Sequence, residues 1–173
     1  VVIATAQDDL HIEGVKTFLL RPINVNPIII LFNISFLHSI IKEYSIDIIH
    51  TNHRMSSFLV GVYNFFYPHI PMVWTSHSGA FPMNFIKKIM GYYGEKNIAI
   101  SSDSERFMLD VLKISEKSIM KVYNGVDDKN LFKLSDFESL NLKKKWNIPL
   151  NKITFVVHGR IAHAKGIDFL IDT

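Results

Sequence analysis

Short apolar runs rich in β-branched residues alternate along this chain with longer segments of helical periodicity, and this alternation limits the folds open to it. The short runs predict strands at 1–5, 16–20, 47–50, 72–75, 98–100, 120–123 and 154–158. The longer patterns predict helices at 27–44, 56–66, 82–94, 103–112, 138–146 and from 165 onward. The strands are apolar on both faces, which suits the interior of a parallel sheet. The sequence therefore predicts an α/β fold with a mainly parallel sheet between helices.

The composition excludes several classes of protein. With 48% hydrophobic residues and a net charge of +3, the 173-residue chain is not intrinsically disordered. The absence of cysteine excludes a disulfide scaffold and a thiolate zinc site, and it favours a reducing compartment. Arginine is scarce among the 19 basic residues, so we expect no nucleic-acid partner. No signal peptide is recognisable, and the longest apolar stretch, 28–41, is too short to span a bilayer.

A change of composition after residue 124 predicts a domain boundary. Asn124 and Gly125 form a turn signal at the end of a predicted strand, and a polar, lysine-rich stretch follows. A new apolar run then begins near Ile153. We predict a first domain at 1–126, a linker at 127–151 and the start of a second domain at 152–173. The helix that begins near Lys165 has no stop signal before the last residue, so we expect the chain to be a piece of a longer protein.

The second-domain segment carries a candidate phosphate site. Gly159 and Arg160 follow the apolar run, and Lys165 and Gly166 stand at the start of the last predicted helix. Arginine offers a planar fork of donors that matches phosphate oxygens, lysine adds a second positive charge, and a helix N-terminus favours the same anion. An ordinary strand-to-helix turn with a surface arginine and lysine explains the spacing equally well.

These residues resemble a known family. Gly159-Arg160, four residues and Lys165-Gly166 are similar to the donor-diphosphate motif of the family 4 retaining glycosyltransferases, which have the GT-B fold. The acidic residue usual before the lysine is replaced by Ala164. Earlier segments resemble the same family in the same order, at 47–53, 71–77, 98–104 and 122–127. The resemblance implies a Rossmann-like N-terminal domain and the first β-α unit of a second Rossmann-like domain.

The resemblance also implies roles for side chains outside the phosphate motif. His77 follows an apolar strand, and ligands of open α/β sheets bind at such carboxyl ends. The matching histidine of the family lines the cleft near the donor sugar, so His77 is the expected catalytic residue, donating to a sugar hydroxyl when neutral or offsetting phosphate charge when protonated. The alternative is a histidine that caps the following turn. Ser78 and Asn124 are further candidates for lining the cleft, as are His53 and Arg54, for which a solvated loop is an equal alternative.

Taken together, the resemblance implies a hexosyltransferase-like glycosyltransferase that retains the anomeric configuration. Its partners would be a nucleotide-sugar donor and a glycan or lipid-linked acceptor, in the assembly of cell-surface polysaccharide or glycolipid. We expect no cofactor and no metal, because Arg160, Lys165 and a helix N-terminus can neutralise the diphosphate. The family's first glycine-rich turn and its later glutamates have no counterpart in this sequence. We therefore expect the chain by itself to be inactive.

Other classes of protein remain open at this point. A GT-B protein without transferase activity, such as a nucleotide-sugar epimerase, would share these motifs. A non-catalytic module that binds nucleotides or membranes is a further alternative. Lysines and aromatic residues between 81 and 96 would suit a helix lying on a membrane surface, in the cytoplasm at the inner face of the cell membrane. A plain amphipathic surface helix is the favoured interpretation of that segment.

Overall fold

The computed structural model describes residues 1–6, 12–22, 26–77, 91–126, 133–157, 159 and 166–171. Their contacts divide the chain into two units, Val1–Gly125 and Val126–Thr173. The first unit contains, in chain order, β1 (Val2–Thr5), β2 (Lys16–Leu19), α1 (Pro27–Glu43), β3 (Ile49–Thr51), α2 (Arg54–Phe66), β4 (Met72–Ser76), β5 (Lys96–Ala99), α3 (Ser102–Asp110) and β6 (Ile119–Lys121). The second contains α4 (Asp136–Lys145) and α5 (Ile167–Ile171).

All the strand pairs formed by the described residues are parallel, which confirms the predicted α/β class. β1 pairs with β2, and a four-stranded sheet has the order β3-β4-β5-β6. α2 connects β3 to β4, and α3 connects β5 to β6, so each pair of strands with its helix forms a βαβ unit. Parallel strands need such crossovers, and the crossover helices cover the sheet.

The core of the first unit lies between its helices and strands. Ile34 and Leu37 of α1 and Leu59 of α2 pack in one cluster with Met72 and Trp74 of β4. All five side chains are buried. Burying a side chain of this size contributes about 1.5–3 kcal/mol. This cluster therefore fixes β4, whose carboxyl end carries His77.

The starts of the helices follow from their first residues. Asn26 caps α1, where its side chain accepts a hydrogen bond from the Ile28 backbone N–H at 2.9 Å and Pro27 occupies the first turn. α3 begins after Ser101, whose hydroxyl oxygen accepts from the Ser104 N–H at 3.1 Å. The predicted helix over 27–44 is confirmed almost residue for residue.

Two predicted elements have a different outcome. The prediction of a strand at 154–158 was wrong for its described residues. Residues 153–157 belong to no strand and are exposed. An apolar run becomes a strand only beside a partner strand, and the described residues of the second unit contain none. The helix predicted at 82–94 lies mostly outside the described residues, and its described end at 91–94 is not helical. The linker and second domain stay predictions.

Candidate active site

The carboxyl ends of β3 and β4 meet at one edge of the four-stranded sheet. The two strands pair in the register Ile49 with Met72 and Thr51 with Trp74. The chain leaves β3 at Asn52 and leaves β4 at His77, so both residues lie at the edge where open α/β sheets bind ligands.

His77 and Asn52 are joined by a hydrogen bond across this edge. The His77 Nε2 atom lies 3.0 Å from the Asn52 Oδ1 atom, and both side chains are exposed. An amide oxygen can only accept, so Nε2 donates and carries the ring proton. The imidazole is thus held in one orientation at a solvent-accessible edge.

The backbone beneath this pair is anchored on both strands. The Thr51 and Ser57 hydroxyl oxygens are 2.8 Å apart and buried, which ties the end of β3 to α2. The Ser104 hydroxyl donates to the Ser76 carbonyl oxygen at 3.4 Å, which ties the end of β4 to α3. Buried hydrogen bonds of this kind contribute about 1 kcal/mol each. The backbone that directly precedes Asn52 and His77 is therefore held in place.

His53 and Arg54 lie at the start of α2. His53 is the N-cap of that helix, because its Nδ1 atom accepts from the Met55 N–H at 3.2 Å. Arg54 is half-buried. Burial raises the pKa of Tyr93, and the nearby Arg54 charge works in the opposite direction. His53 therefore starts the helix, and Arg54 lies close to the half-buried Tyr93.

The fold agrees with the comparison to known families. The family model described as Glycosyltransferase Family 4 matches residues 1–130. The chain belongs to glycosyltransferase family 4. The family inferred from the sequence motifs is thereby confirmed, and the match covers every strand of both sheets.

The similarity to a solved structure covers more of the chain than the family model does. The chain is similar to the crystal structure of a glycosyltransferase from Rickettsia africae ESF-5, with a TM-score of 0.66 and 26% sequence identity. The alignment covers 87% of this chain and 42% of that one, so the chain spans less than half the length of that glycosyltransferase. No curated protein sequence matches the chain.

The donor-side candidates are only partly described. Arg160 and Lys165 lie outside the described residues, as does Ser78. Gly159 is described as an exposed residue of the second unit, and Asn124 as an exposed residue of the segment that follows β6. The family 4 match ends before Gly159, so the diphosphate role of this motif stays a prediction.

Asn52 is the residue that the motif analysis of this family 4 chain missed. The sequence motifs give Asn52 no separate role, although the sequence carries a signal for it. His50 and Asn52 are two residues apart at the end of one strand, and Thr75 and His77 are two residues apart at the end of the next. Because side chains on a strand alternate between faces, such matched pairs predict contacts across neighbouring parallel strands.

A cavity of about 330 Å³ lies at the opposite edge of the sheet. Asp47 and His69, which line it, precede β3 and β4. This amino-terminal edge is not where open α/β sheets bind their ligands, so we assign the site to the His77 edge.

The described parts of the chain also bear on metal binding and on membrane crossing. Those residues contain no group of three or more histidine, aspartate or glutamate side chains that could hold a metal ion. None of the helices they form has the length and apolar character required to cross a membrane.

Proposed function

We propose that the protein transfers a glycosyl group from a nucleotide-sugar to an acceptor hydroxyl, with retention of the anomeric configuration. The bond from the anomeric carbon to the diphosphate oxygen breaks, a bond to the acceptor oxygen forms, and the acceptor's hydroxyl proton is released. The acceptor is a glycan or a lipid-linked sugar of the cell surface. The reaction takes place in the cytoplasm, since a cysteine-free chain suits a reducing compartment.

One observation carries this proposal. In a chain of glycosyltransferase family 4, an exposed histidine stands at the carboxyl end of β4 with its ring held by Asn52. An oriented imidazole has one nitrogen left to bind a hydroxyl, which is the group that a sugar presents. The side chain is exposed although it follows a buried strand, so packing does not require a histidine there.

In this proposal Arg160 and Lys165 neutralise the departing diphosphate. Two cations beside the leaving group would stabilise the charge that develops as the bond to the diphosphate breaks. Their charges are sufficient for a reaction without a metal ion or cofactor.

The test is an assay of the full-length protein with a panel of nucleotide-sugars and glycan or lipid-linked acceptors. We expect Arg160→Ala or Lys165→Ala to lower transfer by about 100-fold, the loss typical of one preorganised charge-stabilising donor. Lys144→Ala, which removes an exposed lysine of α4, is the control and should leave transfer unchanged. His77→Ala should lower turnover with an unchanged unfolding midpoint. NMR of the product decides whether the configuration is retained.

Other outcomes identify the rival classes. An epimerised nucleotide-sugar without a transfer product would identify a GT-B epimerase. Binding of nucleotide-sugars without turnover would identify a non-catalytic module. Either result contradicts the proposal.

We also propose that residues 1–173 alone do not transfer sugar. A GT-B enzyme works between two domains, and preorganised donors must surround the leaving group. The chain covers 42% of the similar glycosyltransferase from Rickettsia africae. Turnover by the 173-residue chain at the rate of a longer form of the protein would contradict this.

A further inference from the structure

Polar side chains from β3 and β4 and from the residues that follow them form two successive pairs toward the carboxyl edge of the sheet. The His50 Nε2 atom lies 2.7 Å from the Thr75 hydroxyl oxygen, and the His77 Nε2 atom lies 3.0 Å from Asn52 Oδ1. In both pairs the partners are 25 residues apart. Because side chains two apart share a face of a strand, the two pairs form a short ladder that ends at His77.

Asn52 is held in place by its neighbours on both sides. The Thr51 hydroxyl contacts Ser57 and lies 3.4 Å from the Val73 carbonyl oxygen. His53 caps α2. The backbone at residue 52 therefore has little freedom, and its amide oxygen is presented to His77 at low entropic cost.

The direction of this hydrogen bond fixes the form of the histidine ring. With Nε2–H donating to Asn52, the neutral ring carries no proton on Nδ1. No described residue is bonded to Nδ1, so this atom can accept a hydrogen bond. The sequence motif suggested that the neutral ring donates to a sugar hydroxyl, whereas the geometry assigns its donor to Asn52 and leaves an acceptor for the substrate.

We propose that Asn52 is a positioning residue for His77: it holds the Nε2–H tautomer and turns Nδ1 toward the hydroxyl group of the sugar. The sugar-binding part of this inference rests on the proposed function. The tautomer part concerns the protein alone and can be measured without any substrate.

The experiment compares three variants of the full-length protein, Asn52→Leu, Asn52→Asp and the control Asn141→Leu. Leucine has a similar volume and no acceptor, whereas a carboxylate restores one. Asn141 is exposed on α4 and lies outside the site. The readouts are the unfolding midpoint, kcat and the donor KM, and the ¹⁵N shifts of the His77 ring in histidine-labelled protein without ligand.

We expect the unmodified protein and Asn141→Leu to show the Nε2–H tautomer at neutral pH. Asn52→Asp should show it at about pH 9, because a carboxylate beside the imidazole favours the protonated ring near neutral pH. Asn52→Leu should show a mixture of tautomers with an unchanged unfolding midpoint. Its kcat should fall about tenfold, the effect of losing one hydrogen bond, while the donor KM changes less than about twofold. At about pH 9, where the ring is neutral, Asn52→Asp should keep kcat within about threefold of the unmodified value.

An unchanged tautomer in Asn52→Leu would overturn the proposal, as would an equal loss of kcat in Asn52→Leu and Asn52→Asp. A protein that transfers no sugar but shows the expected tautomers would contradict the proposed function and leave the positioning role supported.

Discussion

Glu95 joins the starts of two neighbouring strands through a single carboxylate. Its Oε2 atom accepts from the Met72 backbone N–H at 2.7 Å, and its Oε1 atom lies 2.9 Å from His69 Nε2. Burial alone would raise the pKa of Glu95. The Met72 N–H and the charge of His69 outweigh that effect, so its pKa lies below the ordinary value of 4.5.

This difference makes the contribution of Glu95 to stability dependent on pH. A carboxyl group with a lower pKa in the folded chain stabilises it fully above the unfolded pKa, and the contribution is lost as the pH falls through the folded pKa. We expect Glu95→Gln to lower the urea midpoint at pH 7, and the difference from the unmodified chain to shrink near pH 3.

Glu13→Gln, in an exposed turn, is the matched control and should change neither midpoint. If Glu95→Gln lowered the midpoint equally at both pH values, the role assigned to its charge would be wrong.

At the scale of elements, the packing of α2 depends on a glycine in its middle. A Cβ atom at Gly61 would lie 2.6 Å from Tyr92 Cγ and 2.7 Å from Tyr92 Cβ. These atoms are at the base of the side chain, so the ring cannot simply rotate away. The close contact explains why α2 tolerates a residue of poor helix propensity.

We therefore expect Gly61→Ala to lower the free energy of unfolding by about 1 kcal/mol, because a steric cost of about 1–3 kcal/mol exceeds the propensity gain of about 1 kcal/mol. In the Tyr92→Ala background the same change should cost less, since the contacts to Cγ and the ring are removed and only the contact to Cβ remains. Urea unfolding of the four proteins measures both effects. A loss of equal size in both backgrounds would exclude the contact as the cause.

At the scale of the whole molecule, the two units differ in how much they bury. α3 in the first unit is 9 residues long and buries Ser104, Phe107 and Met108. α4 in the second is 10 residues long and buries none of its residues, although Ser135 and Glu138 form a complete capping box and lysines occupy its last turn. α4 thus has the better helix signals and the poorer packing.

Because tertiary packing supplies most of the stability of short helices, we expect α3 amides to be strongly protected from hydrogen exchange and α4 amides to be weakly protected. Exchange followed by NMR at neutral pH measures both helices in one sample, so α3 serves as the internal control. Protection of α4 equal to that of α3 would show that local caps are sufficient here.

What the sequence determined by itself is local. Asn26 and Pro27 predicted the start of α1, because a cap and a fixed φ act on their own neighbours. The alternation of apolar runs and helical patterns predicted the parallel sheet and the strand end before His77, and the order of short motifs predicted the family. Each of these signals is contained within a few consecutive residues or in their order along the chain.

The tertiary structure alone decided what joins distant residues. The run at 153–157 has the composition of a strand, but a strand also requires a partner, and no described residue of its unit provides one. The bond between Asn52 and His77 spans 25 residues and exists because β3 and β4 pair in one register. That register depends on which apolar side chains pack together in the core, and a one-residue slip would turn Asn52 to the other face of the sheet. Hydrophobic periodicity specifies the faces of a strand, and only packing specifies which residue of the next strand lies opposite.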